Sequence, residues 1–205
     1  MSATSPDAAP AGDLREAKRL LRTRIRQARA IRSEQRREDG DRRRTALLLD
    51  AVEPGATVAC YLSTGGEPHT LDLVDRLVAA GHTVLVPLLA GRHDPAWARY
   101  AGRGRVRPGL WGIPEPVGVG DAPVEEVPLS EADLVLCSGL AATRDGRRLG
   151  VGGGWYDRAL GAARPGVPVW MLLDDADVVD DLPTEPHDRR VDAIVTQSGI
   201  LPTRS

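Results

Sequence analysis

A strand, a helix and a second strand follow one another between residues 57 and 87, and this order constrains the fold more than any other feature. Residues 57–63 are apolar and β-branched, residues 70–80 place apolar side chains on one helical face, and residues 82–87 form a second apolar run. Gly81 is suited to end the helix. Two strands that are joined through a helix pair in parallel. The order therefore predicts an α/β protein with a parallel sheet.

Other segments extend this pattern towards both ends of the chain. Apolar residues spaced by three and four predict a first helix, and Ser33 is suited to begin a second helix that continues to about Leu49. The Gly- and Pro-rich segment 90–128 predicts short or edge strands. We expect an open sheet with helices on both faces. The apolar positions of the first helix are Leu14, Ala17, Leu21, Ile25 and Ala28, and the further predicted strands cover residues 133–137, 167–173 and 191–195.

The length and composition fit one domain that follows a short tail. The chain has 205 residues, of which 41% are hydrophobic, enough for a buried core. Residues 1–13 lack the pattern of a signal peptide and predict a disordered tail, so we expect a single catalytic domain over residues 14–205. Without a run long enough to cross a bilayer, we expect a cytoplasmic monomer with no membrane partner. Cys60 and Cys137 lie in apolar runs and are expected to be reduced core residues.

The basic side chains are concentrated near the N-terminus. Residues 15–44 contain 13 Lys and Arg against 5 Asp and Glu, a net charge of +8, although the whole chain carries −2. Such a segment indicates an anionic ligand or a nucleic acid, or else a solvated helix in an arginine-rich protein. Lys18 is the single lysine, and it shares a helical face with Arg22. Because the apolar stripe should pack on the rest of the domain, we expect no nucleic-acid partner.

A glycine-rich stretch over residues 147–158 is the strongest sign of a binding site. Gly150, Gly152, Gly153 and Gly154 lie within five positions, after two arginines and before an aromatic pair. Backbone without side chains can approach a polyanion, and its N–H groups can converge on phosphate oxygens. The spacing matches neither the P-loop nor the dinucleotide fingerprint. The alternative is a simple strand-to-helix turn in which Asp157 caps the helix.

Five separated segments form an ordered set of motifs. The segments are Lys18-x-x-x-Arg22, Tyr61-Leu62-Ser63 with Glu67-x-x-Thr70, Trp111-Gly112-Ile113-Pro114-Glu115-Pro116, Arg148-Leu149-Gly150-x-Gly152-x-Gly154-x-Tyr156-Asp157-Arg158, and Leu182-Pro183-x-Glu185-x-His187-Asp188. In this order, from residue 18 to about residue 200 and so over nearly the whole chain, they resemble the 5-formyltetrahydrofolate cyclo-ligase family.

The resemblance implies both a fold and a reaction. The fold is a three-layer α/β/α sandwich with a mainly parallel open sheet, similar to phosphosugar isomerases and CoA transferases. The reaction is the ATP- and Mg²⁺-dependent conversion of 5-formyltetrahydrofolate, with or without a polyglutamate tail, to 5,10-methenyltetrahydrofolate. In it the formyl oxygen is phosphorylated and N10 closes the ring.

The resemblance also implies roles for particular residues. The residues implied for ATP are Lys18, Arg22, Arg148, Gly150, Gly152, Gly153, Gly154, Trp155 and Tyr156. Those implied for the folate are Leu62, Glu67, Trp111 and Trp155, and those for Mg²⁺ are Asp157 and Asp188. Arg148 and Glu67 are the implied catalytic residues.

The chain departs from the family pattern just before the glycines. The family usually reads Pro-Gly-Leu-Ala-Phe-Asp where this chain has residues 138–143, Ser-Gly-Leu-Ala-Ala-Thr. Val151 replaces a bulkier residue after the first glycine, and Trp155 replaces a tyrosine. These differences leave a second hypothesis, a catalytically weakened relative that still binds nucleotide or folate.

Overall fold

The computed structural model describes residues 11–89, 94–118, 123–183 and 189–203. Its helices are α1 (Ala11–Ala30), α2 (Glu34–Ala51), α3 (Leu71–Ala79) and α4 (Trp155–Ala159). Its strands are β1 (Thr57–Cys60), β2 (Thr83–Leu88), β3 (Ala96–Arg99), β4 (Val106–Pro108), β5 (Pro114–Pro116), β6 (Leu134–Cys137), β7 (Ala141–Thr143), β8 (Arg148–Leu149), β9 (Val169–Leu172), β10 (Val178–Val179), β11 (Ala193–Thr196) and β12 (Gly199–Pro202). Each of the five predicted buried strands occurs within a few residues of its expected position.

Seven strands form the main sheet in the order β12-β11-β9-β6-β1-β2-β3. The five inner strands are parallel, and each edge strand is antiparallel to its neighbour. Strands β1 and β2, which α3 connects, pair in parallel from Thr57 opposite Thr83. The prediction of an α/β fold with a mainly parallel open sheet is therefore confirmed.

Side chains that alternate along the inner strands build a core on each face of the main sheet. Val58 and Cys60 of β1 pack with apolar residues of α2 and α3, whereas Ala59 faces the core that contains Leu160, just after α4. Strands β2 and β6 alternate in the same way. The second face is covered by α4, 3₁₀ turns and loops rather than by long helices. This arrangement gives the three layers that the sequence predicts.

Helix α1 packs on a separate three-stranded sheet, β10-β7-β8. Ile25 and Leu21 of the predicted stripe contact this sheet, but Ala17 and Ala28 are exposed. Arg29 takes the buried position instead, because Asp177 and the carbonyl groups of Gly139 and Leu140 all accept hydrogen bonds from its guanidinium group. The stripe is therefore narrower than the sequence predicts.

Buried ion pairs join the two N-terminal helices to the segment after β9. Arg29 and Arg32 bind Asp177 at 3.0 and 2.6 Å, and Arg44 binds Asp174 at 2.6 Å. Arg32 also pairs with Asp174. These contacts hold three arginines of the basic segment inside the fold.

Helix α2 begins where the sequence predicts. Ser33 is its N-cap, and the Ser33 hydroxyl accepts a hydrogen bond from the Arg36 N–H. Among the described residues, no helix is both long and apolar enough to cross a membrane.

Candidate active site

A cavity of about 630 Å³ opens at the carboxyl ends of the parallel strands. Tyr61 and Leu62 reach it directly after β1, Pro87 from β2, and Ser138 directly after β6. Its volume lies in the range of small-molecule binding sites. The cavity is therefore positioned by the main sheet and not by surface loops alone.

The glycine stretch reaches this cavity through a hairpin that the sequence analysis missed. After β6 the chain forms β7, turns at Gly146 with a φ of 87°, and returns as β8. Leu140 N–H donates to Leu149 O at 2.8 Å, which brings the residues after β8 back beside Ser138. The glycine loop therefore follows a strand of the small sheet and not a strand of the main sheet. Two-residue pairing is too short to give a periodic signal in the sequence.

Three arginines hold the carbonyl groups of the glycine loop. Arg22 and Arg26 of α1 donate to Gly150 O and Val151 O, each at 3.0 Å, and Arg158 of α4 donates to Gly153 O at 3.1 Å. The Arg22 guanidinium group also lies 3.5 Å from the position that a Gly152 Cβ would occupy. A side chain at residue 152 would need a positive φ as well as this space, which favours glycine there.

This arrangement sets the direction of the N–H groups in the loop. In a planar trans peptide the N–H points opposite to the carbonyl group. The N–H groups of Val151 and Gly152 therefore point away from α1, because the preceding carbonyl groups point towards it. In the part of the chain that the structure describes, no acceptor takes a hydrogen bond from the N–H groups of residues 151–154. They are available to an anionic ligand.

Arg148 and Arg147 separate onto opposite sides of β8. Arg148 is 8% exposed, lines the cavity, and donates to Arg189 O at 2.9 Å while its guanidinium group also pairs with Asp157. Arg147 pairs instead with Asp145 and Asp181 at the surface. Of the two arginines before the glycines, Arg148 is the one that contributes to the cavity.

Asp157 does not cap the helix that follows the glycines. Helix α4 starts at Trp155, its N-cap position is Gly154, and no side chain caps it. Asp157 lies inside the helix, lines the cavity, and pairs with Arg148. Since α4 has five residues, its dipole adds little, and the loop N–H groups are the feature suited to an anion.

Trp155 and Tyr156 form an aromatic wall at the cavity. The Trp155 ring packs against Trp97 with centroids 5.2 Å apart, and against Tyr156 in an edge-on arrangement at 5.0 Å. Burial raises the pKa of the Tyr156 hydroxyl well above its usual value, so the group stays neutral. The wall presents flat apolar surface beside the glycine loop.

Glu67 and Leu62 line the cavity on a loop that is fixed by its own hydrogen bonds. The Glu67 carboxylate accepts from Thr64 N–H at 3.1 Å. Thr70 donates from its hydroxyl to Tyr61 O at 2.6 Å, and its hydroxyl accepts from Ser63 N–H at 3.1 Å. The loop therefore presents one carboxylate next to apolar side chains.

The cavity is also lined by residues that the sequence analysis did not select. Pro87, Leu89 and Ile113 line the cavity, as do Arg26, Val151 and Arg158. Pro87 and Leu89 lie at the carboxyl end of a predicted parallel strand, where ligands are expected to bind, and that rule would have found them.

Most of the predicted site residues come together. Those that line the cavity are Leu62, Glu67, Arg148, Gly150, Gly153, Gly154, Trp155, Tyr156 and Asp157. Gly152 and Arg22 lie just behind this surface. Lys18 lies one turn before Arg22 on α1 and does not line the cavity. The Trp111 side chain and Asp188 fall outside the described residues.

Comparison with known proteins identifies the family. Residues 14–197 match the model of the 5-formyltetrahydrofolate cyclo-ligase family. The chain is 35% identical to the 5-formyltetrahydrofolate cyclo-ligase of Mycolicibacterium smegmatis, over 73% of this chain and 78% of that protein. The chain belongs to the 5-formyltetrahydrofolate cyclo-ligase family.

Other members of this family agree in sequence and in structure. The Escherichia coli 5-formyltetrahydrofolate cyclo-ligase is 34% identical over 84% of this chain and 95% of its own length. The NMR structure of Aquifex aeolicus 5,10-methenyltetrahydrofolate synthetase matches with a TM-score of 0.78 and 25% identity, covering 92% of this chain and 93% of that one. The predicted family and its cyclo-ligase activity are confirmed, and membership implies the use of ATP.

The departures from the cyclo-ligase pattern affect packing more than the cavity. Of residues 138–143 only Ser138 lines the cavity. Gly139 leaves no room for a side chain, because a Cβ there would lie 2.0 Å from Met171 Cε. Ala142 and Thr143 are buried in β7, and the Thr143 hydroxyl binds the Asp145 carboxylate. The positions at which the family has an aromatic and an acidic side chain, residues 142 and 143, therefore lie behind the cavity surface.

Two described carboxylates line the cavity, Glu67 and Asp157, and Asp157 is the one next to the glycine loop in the chain. No group of three or more His, Cys, Asp or Glu side chains that could hold a metal exists among residues the structure describes. Mg²⁺ needs no such group, because it keeps several waters and binds through one or two carboxylates together with substrate phosphates. Asp157, which is 39% exposed beside the glycine loop, fits that chemistry.

Proposed function

We propose that this protein converts 5-formyltetrahydrofolate to 5,10-methenyltetrahydrofolate with ATP as co-substrate and Mg²⁺ as the metal. The observation that carries the proposal is a single cavity with two unlike walls. One wall has Arg148 and the glycine loop, whose N–H groups are available, and the other is apolar and contains Glu67. A triphosphate fits the first wall, and a flat pterin ring fits the second.

The chemistry explains why these walls must meet. The formyl oxygen attacks the γ-phosphorus, the bond from that phosphorus to the bridging oxygen breaks, and ADP leaves. N10 then attacks the formyl carbon, the carbon–oxygen bond breaks, phosphate leaves, and N10 loses its proton. Phosphoryl transfer of this kind needs positioning and charge neutralisation rather than a protein nucleophile. The two substrates must therefore lie in contact.

On the phosphate side, we assign charge neutralisation to Arg148 and hydrogen bonding to the N–H groups of residues 151–154. Arg148 is buried and is held by Asp157 and by the carbonyl oxygen of Arg189, so its side chain loses little conformational entropy when a phosphate binds. Arg22 supports the loop through Gly150 O. Lys18 is one turn away on α1 and is assigned to the outer phosphates.

On the folate side, we assign the pterin edge to Glu67 and the ring faces to Leu62 and Trp155. A carboxylate that faces two neighbouring N–H groups forms a strong paired contact. Trp155 is fixed by Trp97, so the ring is already in place before the ligand arrives. Trp111 is assigned to the same ring, and Val151 also lines the cavity.

Asp157 and Asp188 would hold Mg²⁺. When bound, the ion would neutralise charge on the phosphates of ATP. Asp157 already contacts Arg148, so the carboxylate would connect the metal with the main phosphate-binding cation.

The deciding experiment mixes the protein with 5-formyltetrahydrofolate and Mg·ATP and follows the absorbance of methenyltetrahydrofolate. We expect product that depends on both ATP and Mg²⁺. Binding of the folate without any product would instead support a weakened relative, the second hypothesis raised by residues 138–143. A monomeric state, a cytoplasmic location and the division into a tail over 1–13 and one domain over 14–205 stay predictions.

A further inference from the structure

Glu115 is a buried carboxylate that joins two separate segments at the cavity. It lies in β5 between Pro114 and Pro116 and is 7% exposed. One oxygen, Oε1, accepts from Leu110 N–H at 2.9 Å, and the other, Oε2, accepts from Leu89 N–H at 2.9 Å. The two N–H groups belong to the turn between β4 and β5 and to the residue after β2. Charge-assisted hydrogen bonds to a buried carboxylate are stronger than neutral ones.

The turn between β4 and β5 is shaped to receive this carboxylate. Gly109 N–H donates to Ile113 O at 2.8 Å, and Ile113 N–H donates to Leu110 O at 3.1 Å. A Cβ on Gly109 would lie 2.1 Å from Glu115 Oε1 and 2.5 Å from its Cδ. The space at residue 109 therefore favours glycine, whose φ of −105° is not in the left-handed region. Any side chain there would push the carboxylate away from both N–H groups.

Both joined segments supply cavity wall. Leu89 lines the cavity, and Ile113 lines it from the turn that Glu115 holds. Strands β2 and β5 belong to different sheets. The backbone hydrogen bonds between the strands of the main sheet therefore do not hold β5 in place beside β2. The Glu115 carboxylate supplies a direct connection between them at this point.

We propose that Glu115 is a positioning residue for folate binding, which holds the 109–113 turn against the end of β2 and so completes the apolar wall. The inference rests on the proposed function, because it assigns that wall to the folate. The glycine loop and Arg148 lie on other elements and contact neither oxygen of Glu115 in the hydrogen bonds described above. Loss of the connection should therefore affect the folate and spare ATP.

The test uses two variants that break the connection from opposite sides. Glu115→Gln keeps the shape but replaces one acceptor oxygen with an NH₂ group, which cannot accept from a backbone N–H. Gly109→Ala leaves the carboxylate intact but displaces it. We expect each variant to raise KM for 5-formyltetrahydrofolate about tenfold, with KM for ATP changed by less than about twofold.

Two matched controls separate positioning from general destabilisation. Gly104→Ala adds the same methyl group just before β4, where nothing lies within 4 Å of the new Cβ. Asp133→Asn removes a carboxylate that accepts from Thr57 N–H at 2.9 Å at the opposite end of the sheet. Both controls should leave KM for the folate unchanged. If Glu115→Gln does not fold, Gly109→Ala decides the question, because the three atoms nearest to its methyl group belong to the Glu115 side chain and not to the backbone.

The outcomes are distinct. Turnover by the unaltered protein, with an unchanged folate KM in folded Glu115→Gln or Gly109→Ala, overturns the role of Glu115 and leaves the proposed function intact. An equal rise of KM for ATP and for the folate also overturns it, because that pattern indicates a general loss of structure. No turnover by the unaltered protein contradicts the proposed function itself.

Discussion

Arg22 Nε donates a hydrogen bond of 3.0 Å to the carbonyl oxygen of Gly150, and so joins the first helix to the loop that borders the cavity. This contact places the arginine behind the cavity surface. Because the loop carbonyl groups are held on one side, the loop N–H groups are directed to the other. In the proposed function, the cationic helix would therefore act on the phosphates of ATP partly through the backbone of the loop.

We expect Arg22→Ala to raise KM for ATP about tenfold and to change KM for 5-formyltetrahydrofolate by less than about twofold. The loop would lose the hydrogen bond that fixes its first peptide group. Steady-state kinetics with each substrate varied in turn measures both constants. Arg24→Ala, on the exposed side of the same helix, is the control and should change neither. An unchanged KM for ATP in Arg22→Ala would refute the role.

We expect Asp157→Asn to raise the Mg²⁺ concentration for half-maximal rate about tenfold. The amide keeps the shape of the side chain and can still accept a hydrogen bond from Arg148, but it loses the charge that Mg²⁺ requires. Rates measured over a Mg²⁺ titration at saturating ATP check this. Asp180→Asn, an exposed residue away from the cavity, should behave like the unaltered protein. The same Mg²⁺ dependence in Asp157→Asn would remove Asp157 as a ligand.

The buried ion pairs of Asp174 predict a pH-dependent stability. Burial opposes ionisation of Asp174, but Arg44 and Arg32 outweigh it and hold the pKa of this carboxyl below its usual value. Because the pKa is lower in the folded state than the value of about 3.9 in an unfolded chain, the stabilisation is complete above that value. It is lost as the pH falls through the folded-state pKa.

We therefore expect Asp174→Asn to lower the free energy of unfolding by about 2 kcal/mol at pH 7, and by less at about pH 3, where part of the stabilisation is already lost. The effect is moderate because Arg44 keeps Asp41 and Arg32 keeps Asp177 as partners. Urea unfolding at the two pH values measures it. Asp50→Asn, on the exposed surface of α2, is the control. An equal loss at both pH values would contradict the assignment.

Both cysteine thiols should resist modification in the folded protein. Cys60 and Cys137 are fully buried, and burial raises the pKa of both thiols, that of Cys137 to about 12. Few thiolates exist at neutral pH, and reagents cannot reach them. A thiol-reactive dye should therefore label no cysteine in the native protein at pH 8 and both in denaturant. If the dye labels the native protein as fast as the denatured protein, the two thiols are not buried as described.

The sequence predicts the main sheet well because its strands are long enough to carry a signal. Residues 57–63 and 82–87 are apolar runs bounded by turn residues, and the structure places β1 and β2 within about one residue of their start. The hairpin of β7 and β8 escaped prediction, because two or three residues in a strand show no period. Ordered motifs identified half of the residues that line the cavity without any knowledge of that hairpin.

Other parts of the site depend on contacts that distant segments make. Arg29 interrupts the expected stripe on α1 because Asp177, 148 residues later, neutralises it inside the fold. The space beside Gly109 is filled by Glu115 after the chain has turned back. Such pairings arise only when the chain is folded, so neither residue type nor local spacing indicates them.

The small sheet and helix α1 support the loop that we assign to ATP, whereas Leu62 and Glu67, which we assign to the folate, follow β1 of the main sheet. A substitution in α1 can therefore alter the handling of nucleotide while both principal cores stay intact, because none of their residues comes from that helix. In this architecture, evolution can change the affinity for ATP and the affinity for the folate separately. A change of nucleotide preference does not require changes in the strands that support the proposed folate site.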